Sequence, residues 1–176
     1  MRWLHGHVLV YDDHGGNQAR DAAEALVRSG ATVEIVTPER TLSPDVGSLT
    51  ASGCVNSLAE NGVAVTVLRR LHGVTRTPDG LEAELGVDGF AFREHHTFDG
   101  VVAEVGTEPV QELYDELLDA SINLGAVDLA ELLDHRPQSV VRNEDGSFRL
   151  FRIGDAVTSR NVHAAMLDAA RLCRTI

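Results

Sequence analysis

The first forty residues alternate between short apolar runs and one helical pattern. Residues 7–11 and 32–36 are β-rich and apolar, and the second run ends at Thr37-Pro38. Between them apolar side chains recur at i, i+3, i+4, i+7 and i+8: Ala19, Ala22, Ala23, Leu26 and Val27. Asn17 is the predicted N-cap of this helix and Gly30 its C-terminal stop. The pattern predicts a right-handed βαβ unit with buried parallel strands.

The middle of the chain predicts one further helix and then a β-meander. Residues 48–61 have a helical pattern that Gly62 ends. Turn signals follow at Pro78-Asp79-Gly80 and at Asp88-Gly89, and they separate runs of strand-forming residues. The predicted strands are 63–70, 73–76, 81–87 and 90–95.

The remaining segments predict a return to alternating strands and helices. Residues 98–105 read as a buried strand, and Pro109 is the expected first residue of a helix with apolar side chains through residue 118. A helix over 126–135, a strand over 148–153 and a helix over 161–174 complete the order. The predicted fold class is α/β: a Rossmann-like three-layer nucleotide-binding fold with a β-meander, plus the closing strand and helix of a FAD-like domain.

Composition removes several classes of function. Acidic residues number 27, the 15 cationic residues are all Arg, and the net charge is -12. A surface with this balance disfavours nucleic acid and anionic membranes as partners, because both require a basic patch. The absence of Lys excludes Schiff-base chemistry and a P-loop.

Candidate metal ligands are few. The two cysteines cannot hold an iron–sulfur cluster, which needs about four thiolates, and are expected to be buried thiols. His5 and His7 share a strand face without an evident third ligand, so no metal is assigned. With no signal peptide and no apolar run of membrane-spanning length, a cytoplasmic location is expected.

The clearest candidate for ligand binding follows the last predicted strand. Gly154 would let the backbone approach a ligand closely, and Asp155 would accept a hydrogen bond from a ribityl or ribose hydroxyl. A tight turn in which Asp155 caps the next helix is an equally good interpretation. Arg160, at the start of that helix, could meet a phosphate, although pairing with a carboxylate is favoured.

A second candidate lies after the first strand. Gly15 and Gly16 occupy the turn where phosphate-binding glycines would be expected. Asp12 and Asp13 line its mouth and would repel a pyrophosphate, so a purely structural turn is favoured over an NAD(P) site. Glu39, just after the second strand, could accept from a ribose hydroxyl or be a solvated loop acid. The sequence shows no catalytic constellation.

Three segments in this order resemble one protein family: residues 8–16 (VLVYDDHGG), 33–38 (VEIVTP) and 153–156 (IGDA). They are similar to the C-terminal region of the NADH:flavin oxidoreductases related to trimethylamine dehydrogenase and 2,4-dienoyl-CoA reductase. The resemblance implies a larger protein with a TIM barrel that holds FMN and an iron–sulfur cluster, followed by two Rossmann-like domains. These domains bind FAD and NAD(P)H in the reductases, whereas ADP takes the FAD position in the amine dehydrogenases.

The resemblance also implies a domain organisation. Residues 4–98 match the NAD(P)H-binding-like domain, and residues 99–176 match the return segment that completes a FAD- or ADP-binding-like domain. Residues 98–109 resemble the return strand, with Glu104 in place of the Thr that relatives often carry. The glycine fingerprint that opens a FAD domain is absent, and residues 120–147 have no counterpart.

The leading hypothesis is therefore a small subunit of a flavin-dependent oxidoreductase of the amine dehydrogenase or N-demethylase type. It would dock on a larger chain with the barrel, FMN and cluster, and FAD or ADP would bind at the shared interface. The alternative is a non-catalytic structural or regulatory module with vestigial nucleotide sites. A signalling receiver domain is disfavoured because such domains use a Lys that this chain lacks.

Overall fold

The computed structural model describes residues 4–174 and 176, and the side chains of these except residues 48–51 and 54. The chain divides into two compact units, the first ending at Gly106 and the second beginning at Thr107. In chain order the elements of the first unit are β1 (His7–Asp12), α1 (Gln18–Arg28), β2 (Thr32–Val36), α2 (Ser48–Glu60), β3 (Ala64–Thr66), β4 (Arg70–Thr77), β5 (Gly80–Gly86), β6 (Arg93–Phe98) and β7 (Gly100–Glu104).

A four-stranded parallel sheet in the order β3-β2-β1-β7 forms the centre of the first unit. Strand β1 is paired on both edges, so that Val8 faces Val33 on one side and Gly100 on the other. Helix α1 connects β1 to β2 as the periodicity predicted, and Gly30 follows its C-cap with φ +93°. A positive φ of this kind favours glycine at the end of a helix.

The two faces of this sheet bury different partners. One face packs with apolar side chains of α1 and α2: Val8, Val10, Ala19, Ala23, Leu26, Val33, Ile35 and Leu58. The other face packs with the antiparallel sheet β4-β5-β6: Leu9, Tyr11, Val36, Ala83, Leu85 and Phe98. Helices, parallel sheet and meander thus make three layers, and the predicted α/β fold class is confirmed.

Strand boundaries in the meander differ from the prediction. The predicted strand 63–70 splits, because Leu68 has φ +56° and the chain turns there from β3 into β4. The predicted strand 90–95 is displaced to β6, because Arg93 pairs with Gly86 and residues 87–92 form the connecting loop. Hydrogen-bond pairing between strands determines where these strands begin and end. The local preference of the residues for a strand conformation does not determine it.

Strand β7 extends the first unit beyond the boundary inferred from the sequence. It pairs in parallel with β1, from Val8–Gly100 to Asp12–Glu104. The division therefore falls at 106/107, whereas the sequence placed it at 98/99. The assignment of the two units to NAD(P)H-like and FAD-like domains stays a prediction.

The second unit contains α3 (Glu112–Leu118), α4 (Leu129–Leu133), a 3-10 turn at Gly154–Ala156 and α5 (Val162–Leu172). Helix α3 begins three residues after Pro109, so the predicted role of Pro109 as first helical residue was wrong. Two acidic residues in the first turn of α3, Glu112 and Asp115, favour the later start through the helix dipole.

Helix α4 is shorter than the predicted 126–135. Its N-terminus is fixed by Asp128, whose carboxylate accepts from the N–H groups of Ala130 and Glu131. At the other end His135 adopts φ +55°, which ends the helix.

The strand predicted over 148–153 is absent from the described residues of the second unit. Its one ladder contact is an isolated bridge between Phe148 and Ser121. A strand needs neighbouring strands to satisfy its backbone, and the described part of this unit offers none. The expected closing strand of a FAD-like domain is thus a segment without a sheet among the described residues.

Hydrophobic burial is concentrated in the first unit. Of the described residues, sixteen buried hydrophobic side chains lie there, whereas Leu172 is the one found in the second unit. The second unit instead buries Ser121, Asn123 and Gln138. Gln138 bonds both backbone groups of Asp128, its Oε1 to the N–H at 2.8 Å and its Nε2 to the C=O at 3.1 Å. Amide side chains therefore order a unit that has almost no apolar core.

Two further expectations concern membrane-spanning helices and the burial of the two cysteines. No described helix has the length and apolar content that crossing a bilayer would require. Cys173 is a free and exposed thiol, so its predicted burial was wrong, and the side chain of Cys54 lies outside the described residues.

We expect Ile35→Ala to lower the free energy of unfolding of the first unit by about 2–5 kcal/mol. Ile35 lies on β2 and is fully buried in the core that the sheet forms with α1 and α2. Val65→Ala is the matched control, since that side chain is 44% exposed, and should cost less than about 0.5 kcal/mol. Urea unfolding followed by far-ultraviolet circular dichroism measures both. Equal losses would contradict the assignment of the core.

Candidate functional site

Gly154 is the residue on which the candidate ligand turn depends. It is buried and has φ +58°, and its N–H donates to Asp168 Oδ2 at 3.2 Å. A Cβ added here would lie 3.0 Å from the Cβ of Ala165 on α5. The turn therefore lies directly against α5, and glycine is required both for its backbone conformation and for this close approach.

The helix that follows the turn is capped by Asn161, whose Oδ1 accepts from the N–H of Ala164 at 3.0 Å. The interpretation of Asp155 as the helix cap was therefore wrong. Asp155 is exposed, and one of its oxygens lies 3.5 Å from the backbone nitrogen of Arg160. The other carboxylate oxygen of Asp155, Oδ2, accepts no hydrogen bond from any described residue.

Arg160 pairs with a carboxylate, Asp168, which also accepts from the N–H of Gly154. No motif in the sequence points to Asp168. The signal that could have found it is its spacing from Ala165, since residues three apart on a helix share a face. Asp168 thus positions both the glycine turn and the arginine.

Two motifs recognised from the sequence meet at one surface depression. Its volume is about 340 Å³, and it is lined by Thr107, Glu108, Pro109, Val110, Asp155, Ala156 and Ser159. The end of the return-strand motif and the Gly-Asp motif, 45 residues apart in the chain, are therefore neighbours in the second unit. Asp155 supplies a carboxylate to this depression.

Two backbone donors of the turn after β1, those of His14 and Gly15, are already occupied. Asp12 is fully buried, and its Oδ1 accepts from the N–H groups of His14 at 3.2 Å and Gly15 at 2.9 Å. Gly15 has φ +77°, and its carbonyl accepts from the N–H of Asp45 at 3.1 Å. A Cβ on Gly15 would lie 2.9 Å from the ring of Pro44. The loop after β2 therefore covers the glycine turn.

Charged groups beside this turn form a network of ion pairs. Arg70 Nη1 lies 3.1 Å from Asp13, and Arg70 Nε lies 2.8 Å from Asp88. The hydrogen bond from Arg70 lowers the pKa of Asp88. Burial raises the pKa of Tyr11, and the charge of Asp13 raises it further. The acidic mouth predicted from the sequence is therefore partly neutralised by Arg70.

The remaining candidates stand apart from these contacts. Glu39 is exposed after β2, and its backbone bonds Thr37 and Leu68. Gly16 is half-buried beside Gln18 in the turn. The structure thus groups Gly154, Asp155 and Arg160 in the second unit, and Gly15 and Gly16 in the first.

Known proteins with similar sequences are much longer than this chain. No family model matches the sequence. It is 44% identical over 170 residues to a probable N-methylproline demethylase of Rhizobium meliloti (strain 1021), covering 97% of this chain and 25% of that protein. It is 38% identical over 172 residues to an N,N-dimethylglycine/sarcosine dehydrogenase of Chromohalobacter salexigens, with 96% and 25% covered. The chain spans about a quarter of the length of these curated relatives.

Solved structures show the same fold. Histamine dehydrogenase from Rhizobium sp. 4-9 matches with a TM-score of 0.66 at 23% identity, over 98% of this chain and 23% of that one. A 6-hydroxypseudooxynicotine amine oxidase from Pseudomonas geniculata N1 matches with a TM-score of 0.63 at 23% identity, over 94% and 21%. The predicted resemblance to the NADH:flavin oxidoreductase family is therefore confirmed. The chain corresponds to one segment of these larger oxidoreductases.

We expect Gly154→Ala to destabilise the second unit by about 1–2 kcal/mol, because alanine resists a positive φ. The new methyl group would also press on Ala165. Gly53→Ala in α2 is the control, since a Cβ there meets nothing within 4 Å and alanine is favoured over glycine inside a helix, so this change should not destabilise the chain. Thermal unfolding measures the difference, and an unchanged transition in Gly154→Ala would contradict the close packing of the turn.

Tyr11 should ionise above its ordinary pKa of 10.0, because burial and Asp13 both disfavour the phenolate. The folded chain then binds this proton more tightly than the unfolded chain, so stability is lost as pH rises above 10.0. Absorbance at the phenolate band measures this in Tyr114→Phe, in which Tyr11 is the remaining tyrosine. Asp13→Asn should lower the midpoint, whereas Asp21→Asn should not move it.

Proposed function

We propose that this chain is the small subunit of a flavin-dependent oxidoreductase of the amine dehydrogenase or N-demethylase type. It docks on a larger chain that holds a TIM barrel, FMN and an iron–sulfur cluster, and it completes a FAD- or ADP-binding interface. One observation carries the proposal. The unit with the Gly-Asp motif buries a single hydrophobic side chain among its described residues. This fits the match of the whole chain to a segment of proteins four times as long.

Apolar side chains on the surface of the second unit supply the driving force for docking. Each of the following is more than 60% exposed: Val110, Leu113, Leu129, Leu133, Val162 and Met166. Fully burying a side chain of this kind contributes about 1.5–3 kcal/mol. Exposed apolar area on this scale is typical of a surface that another protein covers.

The Gly-Asp turn presents a hydrogen-bond acceptor to a dinucleotide that carries hydroxyl groups. Asp155 is exposed and accepts hydrogen bonds, and Gly154 lets the turn lie directly against α5. We infer that Asp155 binds a ribityl or ribose hydroxyl of FAD or ADP, with Arg160 near the phosphates. FAD, when bound, supplies an acceptor for electrons. Asp168 holds Arg160 and the turn in position.

The first unit serves in this proposal as a scaffold and takes no NAD(P). The N–H groups of His14 and Gly15, which a pyrophosphate would need, donate to Asp12. Asp13 adds negative charge at the same turn, and Glu39 remains a solvated loop acid. The substrates of the whole enzyme would be N-methylated amines, by analogy with the names of the two relatives. We place the complex in the cytoplasm.

A second candidate function is a structural or regulatory module without a nucleotide. The occupied donors of the first turn favour it, because a vestigial site in one unit is compatible with a vestigial site in the other. Calorimetry on the assembled complex with FAD, ADP, NAD and NADP separates the two functions. Binding of FAD or ADP alone supports the interface, and binding of none supports the module.

Purification of the native protein should yield a coloured complex with a larger chain and a flavin absorption spectrum. Asp155→Ala should weaken FAD or ADP binding by about 10- to 100-fold, the effect of losing a hydrogen bond to a charged group. Asp145→Ala removes an exposed carboxylate elsewhere in the unit and should leave binding unchanged. Stoichiometric flavin on this chain without a partner would rule the proposal out.

A further inference from the structure

The segment of residues 148–153 is hydrogen-bonded along one edge at Phe148 and Leu150, and Ile153 has an extended backbone. The N–H of Ile122 donates to the carbonyl of Phe148 at 2.7 Å. The side chain of Asn123 bonds both backbone groups of Leu150, its Oδ1 to the N–H at 2.8 Å and its Nδ2 to the C=O at 2.7 Å. One edge of the segment is therefore satisfied within the second unit.

The opposite edge of the segment is unpaired. In an extended chain the backbone groups of successive residues point to alternate edges. Arg149 and Phe151, on either side of Leu150, form no backbone hydrogen bond to any described residue. Their N–H and C=O groups form the kind of row that pairs with another strand.

Two open depressions with mainly apolar linings adjoin the segment, one at residues 150–153 and the other at Arg152 and Ile153. One, of about 320 Å³, is lined from α3 by Leu113, Tyr114 and Leu117. The other, also about 320 Å³, is lined from α4 by Leu129 and Leu132 and from α5 by Leu172. A neighbouring strand projects side chains to its two faces in turn, and apolar side chains of such a strand could be buried in these depressions.

We propose that residues 149–151 pair with a β-strand of the larger flavoprotein chain, so that the segment becomes part of a sheet. This inference rests on the proposed function and names the contact by which docking occurs. The relatives carry about three quarters of their length outside the matched region, and this length supplies the strand. Backbone pairing provides affinity, and the two apolar depressions provide specificity.

Pairing at this edge would also complete the candidate ligand site, of which the Gly-Asp turn forms one side. Gly154 and Asp155 follow the carboxyl end of the segment directly. Ligands of open α/β sheets bind in the crevice beyond the carboxyl ends of neighbouring strands. The added strand of the larger chain would therefore form the second wall opposite Asp155.

Hydrogen–deuterium exchange tests the pairing in the isolated chain and in the purified complex. The amides of Arg149 and Phe151 should exchange at least about tenfold more slowly in the complex. The amide of Leu150 is the internal control, because it already donates to Asn123. A complex that forms without protection at Arg149 and Phe151 would overturn the strand pairing and leave the proposed function intact.

Arg149→Pro removes one unpaired N–H group and should weaken assembly at least about tenfold, as measured by titration of the larger chain. Arg149→Ala keeps the N–H and should assemble as the natural chain does. Equal melting temperatures of the two isolated variants show that folding is unaffected. If no complex with a larger chain forms, both the proposed function and the strand pairing are overturned. If the amides of Arg149 and Phe151 are protected equally well in a homodimer of this chain, the larger chain is the wrong partner.

Discussion

Backbone pairing governs both halves of this molecule, because a buried strand must find hydrogen-bond partners along each edge. Strand β1 finds them in β2 and β7, and the layers of the first unit are built on that pairing. Residues 148–153 find a partner along one edge, through Ile122 and Asn123. The first unit accordingly has a packed core, whereas the second leaves its helices with exposed apolar faces.

The same contrast separates the two candidate ligand turns. Asp12 Oδ1 accepts hydrogen bonds from the N–H groups of its own turn and the loop at Pro44 covers Gly15, so that turn is held by contacts within the first unit. Asp155, in the second unit, is exposed beside a depression. The two turns look alike in the sequence because both place acidic residues beside glycine after an apolar run. The two turns differ in the hydrogen bonds that their acidic side chains form.

Sequence alone was sufficient where a pattern reports on local structure. The periodicity of α1, its stop at Gly30 and the apolar runs of β1 and β2 follow from local spacing, and the structure has all of them. The sequence was insufficient where the structure depends on pairing between residues that are far apart in the chain. The displacement of β6, the parallel pairing of β7 and the missing ladder at 148–153 depend on partners far along the chain. Asp168 was missed because its contacts with Gly154 and Arg160 cross from a helix to a turn.

Asn123 has a consequence for the kinetics of assembly. Its carboxamide offers Leu150 one donor and one acceptor, the same pair of groups that one residue of an antiparallel neighbouring strand would present. Fixing one residue of backbone in an extended conformation costs roughly 1–2 kcal/mol of conformational entropy. Because Asn123 orders this residue during folding, the segment is preorganised before any encounter. A single side chain that imitates a strand would thus keep the unpaired edge of residues 149–151 ordered for the partner strand that we propose.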